Sequence, residues 1–223
     1  QSDPLLPIET DLLRRDFTIN AMAYELRAKR LIDPFGGARD LAAKIIRAVG
    51  TPADRFAEDL SRLLRAIRFA VQLQLEIEPT TWQALKDHIK HINQKRQRAS
   101  PPARGGPPER PNAFGRAGVG GGGSEEFVVP RETVGRELAK TLVSDPVRAV
   151  RLLCEAGAMD LLLPGLDVCL EIKNYLAPLS SYPAELLSVT LAILLRGLPP
   201  DDVRHRLRES GLSSLPRESS MRA

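Results

Sequence analysis

Glu58-Asp59-Leu60-Ser61-Arg62-Leu63-Leu64-Arg65-Ala66-Ile67-Arg68-Phe69 is the stretch on which the fold turns. It predicts an amphipathic helix over residues 58–74. At about 100° per residue, Arg62, Arg65 and Arg68 lie within roughly 80° of Glu58, and Asp59 stands about 60° from Arg62. Leu60, Leu63, Leu64, Ile67 and Val71 fall together between about 140° and 240° on the same wheel. One side is therefore an apolar seam and the other a row of carboxylates and guanidinium groups. Such a charged face is either solvated and laced with i,i+4 ion pairs, or built to read a base edge and hold a triphosphate.

A second charged motif lies upstream. Arg14-Arg15-Asp16 precedes Phe17-Thr18-Ile19-Asn20-Ala21-Met22-Ala23-Tyr24, which predicts a helix over residues 17–28. Adjacent arginines at a helix entrance suit an anion, because free N–H groups and the helix dipole add to their charge. Arginine also presents the forked donors that phosphate oxygens favour. Asp16 either caps this helix or accepts from a ribose hydroxyl, and the residues alone leave both open.

The run Arg14 to Ala21, then Asp33-Pro34-Phe35-Gly36-Gly37 with Asp40-Leu41, then Arg55-Phe56-Ala57-Glu58-Asp59 with Arg62, Arg65 and Arg68, occur in that order at close spacing. Together they resemble the class II tRNA nucleotidyltransferases, or CCA-adding enzymes, and the related bacterial poly(A) polymerases. The likeness is dense over residues 11–92 and thinner over 127–166, where relatives often carry Arg after a Glu that Thr133 follows here. It implies template-independent addition of C, C and A to the tRNA 3′ end, with CTP and ATP as donors. By position, Arg14, Arg15, Asp16 and Asn20 would form the nucleotide site with Glu58, Asp59, Arg62, Arg65 and Arg68. Arg15 and Asp16 would hold sugar and triphosphate. Asp59 and Arg62 would face the base, Glu58 would orient Arg62, and Arg65 and Arg68 would help with phosphates and keep the reading pair aligned.

Base choice follows from donor and acceptor chemistry. Cytosine and adenine each offer an exocyclic amine beside a ring-nitrogen acceptor. An ionised Asp only accepts and an Arg only donates, so an Asp–Arg pair complements both. Uracil and guanine present a carbonyl beside a ring N–H, which makes both contacts repulsive and rejection steep.

In this family a Gly-rich phosphate loop and an Asp-x-Asp pair holding two metal ions precede the Arg-Arg-Asp motif. No Asp-x-Asp occurs in the chain, and Asp3, Glu9 and Asp11 do not match the spacing. The reading is of a fragment lacking the ligands for the Mg²⁺ that the family implies, binding nucleotide poorly and catalysing little alone. A poly(A) polymerase fragment and a non-catalytic RNA-binding remnant are the alternatives. The first would prefer ATP over CTP; the second would bind RNA weakly, with steep salt dependence and no base preference.

The expected fold class is α+β, mostly α-helical: the C-terminal remnant of a nucleotidyltransferase head, then a helical neck and body. Residues 1–50 form the head remnant, with a strand at 30–32, a turn at 33–37, a helix at 39–44 and a strand at 45–49. A sheet short of its other strands would expose an apolar edge. Residues 51–98 form the neck, with helices at 52–56, 58–74 and 79–92, the last capped by Thr80 or Thr81. Residues 99–126, rich in Pro and Gly and threaded with Arg104, Arg110 and Arg116, read as a disordered insertion. Residues 127–223 form the body, with helices at 131–142, 146–156, 183–196 and 200–210 and a frayed end from 213. The body would hold tRNA by shape and phosphate contacts.

Composition agrees quietly. The 223 residues carry 32 Lys+Arg against 28 Asp+Glu, a net charge of +4 that suits RNA without demanding it. Cys154 and Cys169 lack a Cys-x-x-Cys pattern and read as buried thiols. His88 and His91 have no third ligand to make a metal site. The apolar run at 186–195 is too short for a bilayer, no signal peptide is seen, and the expected compartment is cytoplasmic with no membrane partner.

Overall fold

A computed structural model describes residues 7–97, 125–166, 168–169, 172–181, 187–196 and 198–214. The chain opens with α1 (Ile8–Leu13) and a 3₁₀ turn (Thr18–Asn20), followed by the hairpin β1 (Ala23–Glu25) and β2 (Arg30–Ile32). Next come α2 (Gly37–Ala42), β3 (Ile45–Ile46), α3 (Pro52–Glu58), α4 (Ser61–Gln72), β4 (Glu76–Ile77), α5 (Pro79–His88), a 3₁₀ turn (Ile89–His91) and β5 (Lys95–Gln97). After the undescribed stretch the order is β6 (Glu125–Phe127), α6 (Arg131–Ser144), α7 (Pro146–Glu155), α8 (Met159–Leu162), α9 (Ile172–Ser180), α10 (Leu187–Leu194), α11 (Pro200–Glu209) and a last 3₁₀ turn (Leu212–Ser214).

The mostly helical α+β architecture is the expected one. Among the described residues the strands form three small pairs: β1 antiparallel to β2 with Tyr24 opposite Leu31, β3 parallel to β4, and β5 antiparallel to β6. Phe17 bridges to Ala48, which ties the segment after Asp16 to the strand region beyond β3.

The seam of α4 is buried as its periodicity predicts. Leu63, Leu64, Ile67, Ala70 and Val71 are all at most 2% exposed and join a core that runs from Phe17 to Leu212. That core continues through Leu138 and Leu142 of α6 and Val150 and Leu153 of α7, so α4 shares one core with the helices on both sides of the undescribed stretch. A separate small cluster, Leu12, Ala21 and Val49, sits under the hairpin with Ile32 and Phe35 packed on it. The outer side of the hairpin leaves Tyr24, Leu26 and Leu31 exposed.

Several elements differ from expectation. The helix over 17–28 does not form: a single 3₁₀ turn gives way to β1, because pairing Ala23 with Ile32 covers the small cluster. The helix over 58–74 is broken. Asp59 is extended at φ −152° and ψ 101°, and its Oδ1 accepts from the backbone N of Ser61 at 2.9 Å, which ends α3 and starts α4. Glu78, not Thr80 or Thr81, caps α5 by accepting from the Thr81 N–H at 2.8 Å. Glu125 and Glu126, expected inside the disordered insertion, lie in β6, while the rest of that insertion and the end from 215 fall outside the described residues. Cys154 and Cys169 are not free thiols. The turn after α8 folds back onto α7, bringing their Cα atoms to 5.4 Å in a disulfide that their spacing of 15 residues did not announce.

The Asp33-Pro34-Phe35-Gly36-Gly37 turn has a mechanical role. Asp33 accepts from the N–H groups of Gly37 and Ala38 at 2.7 and 2.9 Å, capping α2. Gly36 takes φ +74°, and a Cβ on Gly37 would stand 2.1 Å from the Thr18 carbonyl oxygen. Asp40, 2% exposed, accepts from the Thr18 hydroxyl at 2.8 Å. Helix α2 thus clamps the segment that follows Arg14-Arg15-Asp16.

Candidate functional site

The clamp of α2 on Thr18 and the burial of the α4 seam bring the two charged motifs face to face. Between them lies a cleft of about 530 Å³ lined by Arg14, Arg15, Asp16, Asn20, Asp59, Ser61, Arg62, Arg65 and Phe69. Seven of the nine residues singled out from sequence line it. Glu58 and Arg68 do not. Ser61 and Phe69 line it and were passed over, Ser61 because its role begins only with the helix break and Phe69 because its ring reads as core.

Asp16 is the floor, 6% exposed. Its Oδ1 accepts from the Phe17 N–H at 3.0 Å and the Asn20 amide at 3.1 Å, and its Oδ2 from Arg65 Nε and Nη2 at 2.8 and 2.6 Å. These four bonds fill the acceptor capacity of a carboxylate. Asp16 therefore neither caps a long helix nor stands open for a ribose hydroxyl. It locks Arg65 and Asn20 in place at the cleft wall, 49 residues apart in the case of Arg65.

Arg62 is aimed by three oxygens. Nη1 donates to Glu58 Oε2 and to the backbone oxygen of Arg55, at 2.8 and 2.9 Å, and Nη2 donates to the backbone oxygen of Arg14 at 3.2 Å. Of its five N–H groups, Nε–H and one on Nη2 have no protein partner among the described residues. Asp59 spends one oxygen on Ser61 N and is otherwise exposed. The hydrogen bond from Arg62 is the main reason the Glu58 carboxyl sits below its ordinary range, with the charges of Arg55 and Arg62 adding to it.

At the mouth, Arg14 is exposed and Arg15 makes only an exposed i,i+4 pair with Asp11 at 2.9 Å. Such pairs are worth about 0–1 kcal/mol and yield readily to a bound anion. Because the segment behind them is a 3₁₀ turn, helix-dipole help for a phosphate falls away; the arginines supply the field themselves.

Arg68 has a different task from the phosphate contact expected of it. It points away from the cleft, its Nε donating to the buried Glu137 of α6 at 2.6 Å while the guanidinium lies 4.0 Å over the Phe69 ring. Phe69 in turn meets Phe17 edge-on at 5.9 Å. Arg68 is thus a strut between α4 and α6.

No group of three or more His, Cys, Asp or Glu able to hold a metal occurs among the described residues. The carboxylates nearest the cleft, Asp16 and Glu58, are spent on arginines, and Asp59 stands beside Arg62, so this donor set does not fit a divalent cation. His88 is turned to the Ala84 carbonyl at 2.8 Å. No helix among the described residues is long and apolar enough to cross a membrane.

Known proteins share parts of this sequence and its fold. Residues 3–47 match the poly A polymerase head domain. A CCA-adding enzyme of Bacillus licheniformis is 47% identical over 93 residues, covering 40% of this chain and 23% of the relative. A multifunctional CCA protein of Neisseria gonorrhoeae is 37% identical over 174 residues, covering 78% of this chain and 34% of the relative. The crystal structure of the Bacillus stearothermophilus CCA-adding enzyme in complex with CTP superposes with a TM-score of 0.59 at 26% identity, over 97% of this chain and 50% of that one. The chain thus spans between about a quarter and a half of the proteins it resembles. Over these stretches it is similar to CCA-adding enzymes.

Proposed function

We propose that this chain carries the base-reading and triphosphate-holding half of a template-independent tRNA nucleotidyltransferase that builds the CCA end of tRNA from CTP and ATP. The observation that supports it is the convergence of Asp59 and Arg62 with Arg14, Arg15 and Arg65 on one cleft. A nucleoside triphosphate fits a cleft of this size. Its phosphates meet Arg14 and Arg15 at the mouth, with Arg65 held ready on Asp16.

The free Nε–H and Nη2–H of Arg62 donate to the ring nitrogen of cytosine or adenine, and the open oxygen of Asp59 accepts from the exocyclic amine. Uracil and guanine would set N–H against N–H and oxygen against oxygen, leaving desolvated groups unpaired. Magnesium, which the family uses in phosphoryl transfer, has no ligand set among these residues. Their share of the reaction is to bind, orient and select the nucleotide.

The division that goes with this reading is a head portion over 1–50, a neck over 51–98 that completes the pocket, and a body from 127 that meets tRNA by shape and phosphate contacts. The compartment that goes with this reading is the cytoplasm.

Equilibrium binding of CTP, ATP, UTP and GTP to the chain, with Asp59→Ala and Arg62→Ala beside it, tests the reading. Selective binding of CTP and ATP that either substitution relaxes is expected. Preference for ATP alone would favour a poly(A) polymerase. Equal binding of all four to a folded sample would sink base reading at this cleft.

A further inference from the structure

Outside the cleft, Arg55 of α3 has a side chain only 13% exposed and touches no cleft surface. Its Nε donates to the Val49 carbonyl at 3.2 Å and its Nη1 to Glu58 Oε2 at 2.8 Å. The same Oε2 receives Arg62 Nη1 at 2.8 Å, and that nitrogen also donates to the backbone oxygen of Arg55. The contacts close a ring: Arg55 side chain, Glu58, Arg62, Arg55 backbone.

Glu58 alone would be a poor guide for Arg62. Its side chain is 52% exposed and sits on the last residue of α3, where one pair with Arg62 would be solvated and mobile. What orders it is the second guanidinium, itself fixed to a backbone carbonyl before α3 begins. A carboxylate held between two arginines has little freedom left, so of the three oxygens that aim Arg62, the Glu58 oxygen is fixed from Val49 through Arg55.

We propose that Arg55 is a positioning residue for nucleotide selection: it fixes Glu58, and through Glu58 the two donors that Arg62 turns to the base. The inference rests on the reading that Arg62 contacts the base edge. Losing Arg55 costs discrimination between bases and leaves the hold on the triphosphate intact, because Arg15 and Arg65 pair with Asp11 and Asp16 and not with Glu58.

The test uses the whole chain as Arg55→Ala, Arg55→Lys and Glu58→Ala, with Asp59→Ala marking loss of base reading. Two readouts are taken. The first is the affinity ratio of CTP to UTP beside the affinity for inorganic tripolyphosphate. Arg55→Ala is expected to lower the ratio about tenfold or more with tripolyphosphate binding within about twofold, and Arg55→Lys to recover part of it. The second is the Nε–Hε signal of Arg62 in the nucleotide-free chain, assigned with Arg62→Lys. It should lie away from the free-arginine position in the parent and move toward that position in Arg55→Ala. Should Arg55→Ala fail to fold, Glu58→Ala breaks the same link while leaving Arg55 on Val49, and is expected to give both effects. A ratio that falls in Asp59→Ala but holds in Arg55→Ala overturns the inference and spares the base-reading proposal. If the parent does not discriminate at all, base reading fails, and the Arg62 signal still decides: unchanged in Arg55→Ala, it overturns the positioning role.

Discussion

Replacing Glu137 tests the joint between α4 and α6. Glu137 is 6% exposed in the middle of α6, and its Oε2 takes the Arg68 Nε at 2.6 Å with side-chain exposures of 7 and 12%. Removing one member of a buried pair typically costs about 3–5 kcal/mol, because the other ion is stranded without water or partner. Arg68 is not wholly stranded here. Its Nη1 keeps Gln72 Oε1 at 2.7 Å, and its guanidinium stays over the Phe69 ring. The lower end of the range applies, about 3 kcal/mol for Glu137→Ala. The double variant Arg68→Met/Glu137→Leu removes both desolvated charges, fills their volume, and is expected within about 1 kcal/mol of the parent. Urea unfolding followed by far-ultraviolet circular dichroism, with the single variants Arg68→Met and Glu137→Leu completing the cycle and m-values checked for constancy, gives the coupling energy. A value of about 2 kcal/mol or more is expected. With all four proteins folded, a coupling under about 0.5 kcal/mol would mean an ordinary solvated ion pair and refute the strut.

Gly37→Ala puts a methyl group against the Thr18 carbonyl, a backbone atom that cannot step aside, so α2 must lift from the segment after Asp16. A loss of about 2 kcal/mol or more is expected, read as a drop in Tm; an unchanged Tm would show that α2 does not clamp this segment. Glu78 supplies a pH dependence. Burial pushes its carboxyl up, but hydrogen bonds from the Thr80 and Thr81 hydroxyls and N–H groups outweigh it and hold the group at about 2. Because the folded value is below the ordinary 4.5, the stabilisation is complete above about pH 5 and vanishes as the pH falls through about 2. The stability difference between the parent and Glu78→Gln, followed by acid titration, should shrink across that window; a constant difference would show that the cap is not held ionised.

What could be read from the residues divides by range. The seam of α4 needed only periodicity, and Leu63, Leu64, Ile67 and Val71 are buried as the wheel places them. The start of α7 at Asp145-Pro146 is local chemistry, and Asp145 caps it through the Arg148 N–H at 2.9 Å. The hairpin 23–32 was misread because Ala21-Met22-Ala23-Tyr24-Glu25-Leu26 has helix-forming composition, while its state is decided by strand pairing over Leu12, Ala21 and Val49. The partners of Arg65 and Arg68 were invisible for the same reason: Asp16 lies 49 residues before one and Glu137 lies 69 after the other. The Glu78 cap was there to be seen, since Pro79 marks a first turn and the residue before it is the capping position.

The break at Asp59 changes what the central motif means. On one continuous helix, Glu58 and Asp59 would share a charged stripe with Arg62, Arg65 and Arg68, and the stripe itself would be the site. Seven residues of straight helix span about 10 Å, too far for Arg62 to reach back to the Arg55 carbonyl while also holding Glu58. The extended Asp59 folds α3 back on α4, so that Arg62 Nη1 meets both oxygens of α3 at 2.8 and 2.9 Å. The same turn frees one Asp59 oxygen beside Arg62 in the cleft. An acceptor and a donor side by side, each held by backbone, are what selection of an amine next to a ring nitrogen requires. The pair we propose for base reading is therefore the product of a junction between two helices, and its precision depends on whatever sets the angle of that junction: the Asp59 to Ser61 bond at the turn and the Arg55–Glu58–Arg62 ring behind it.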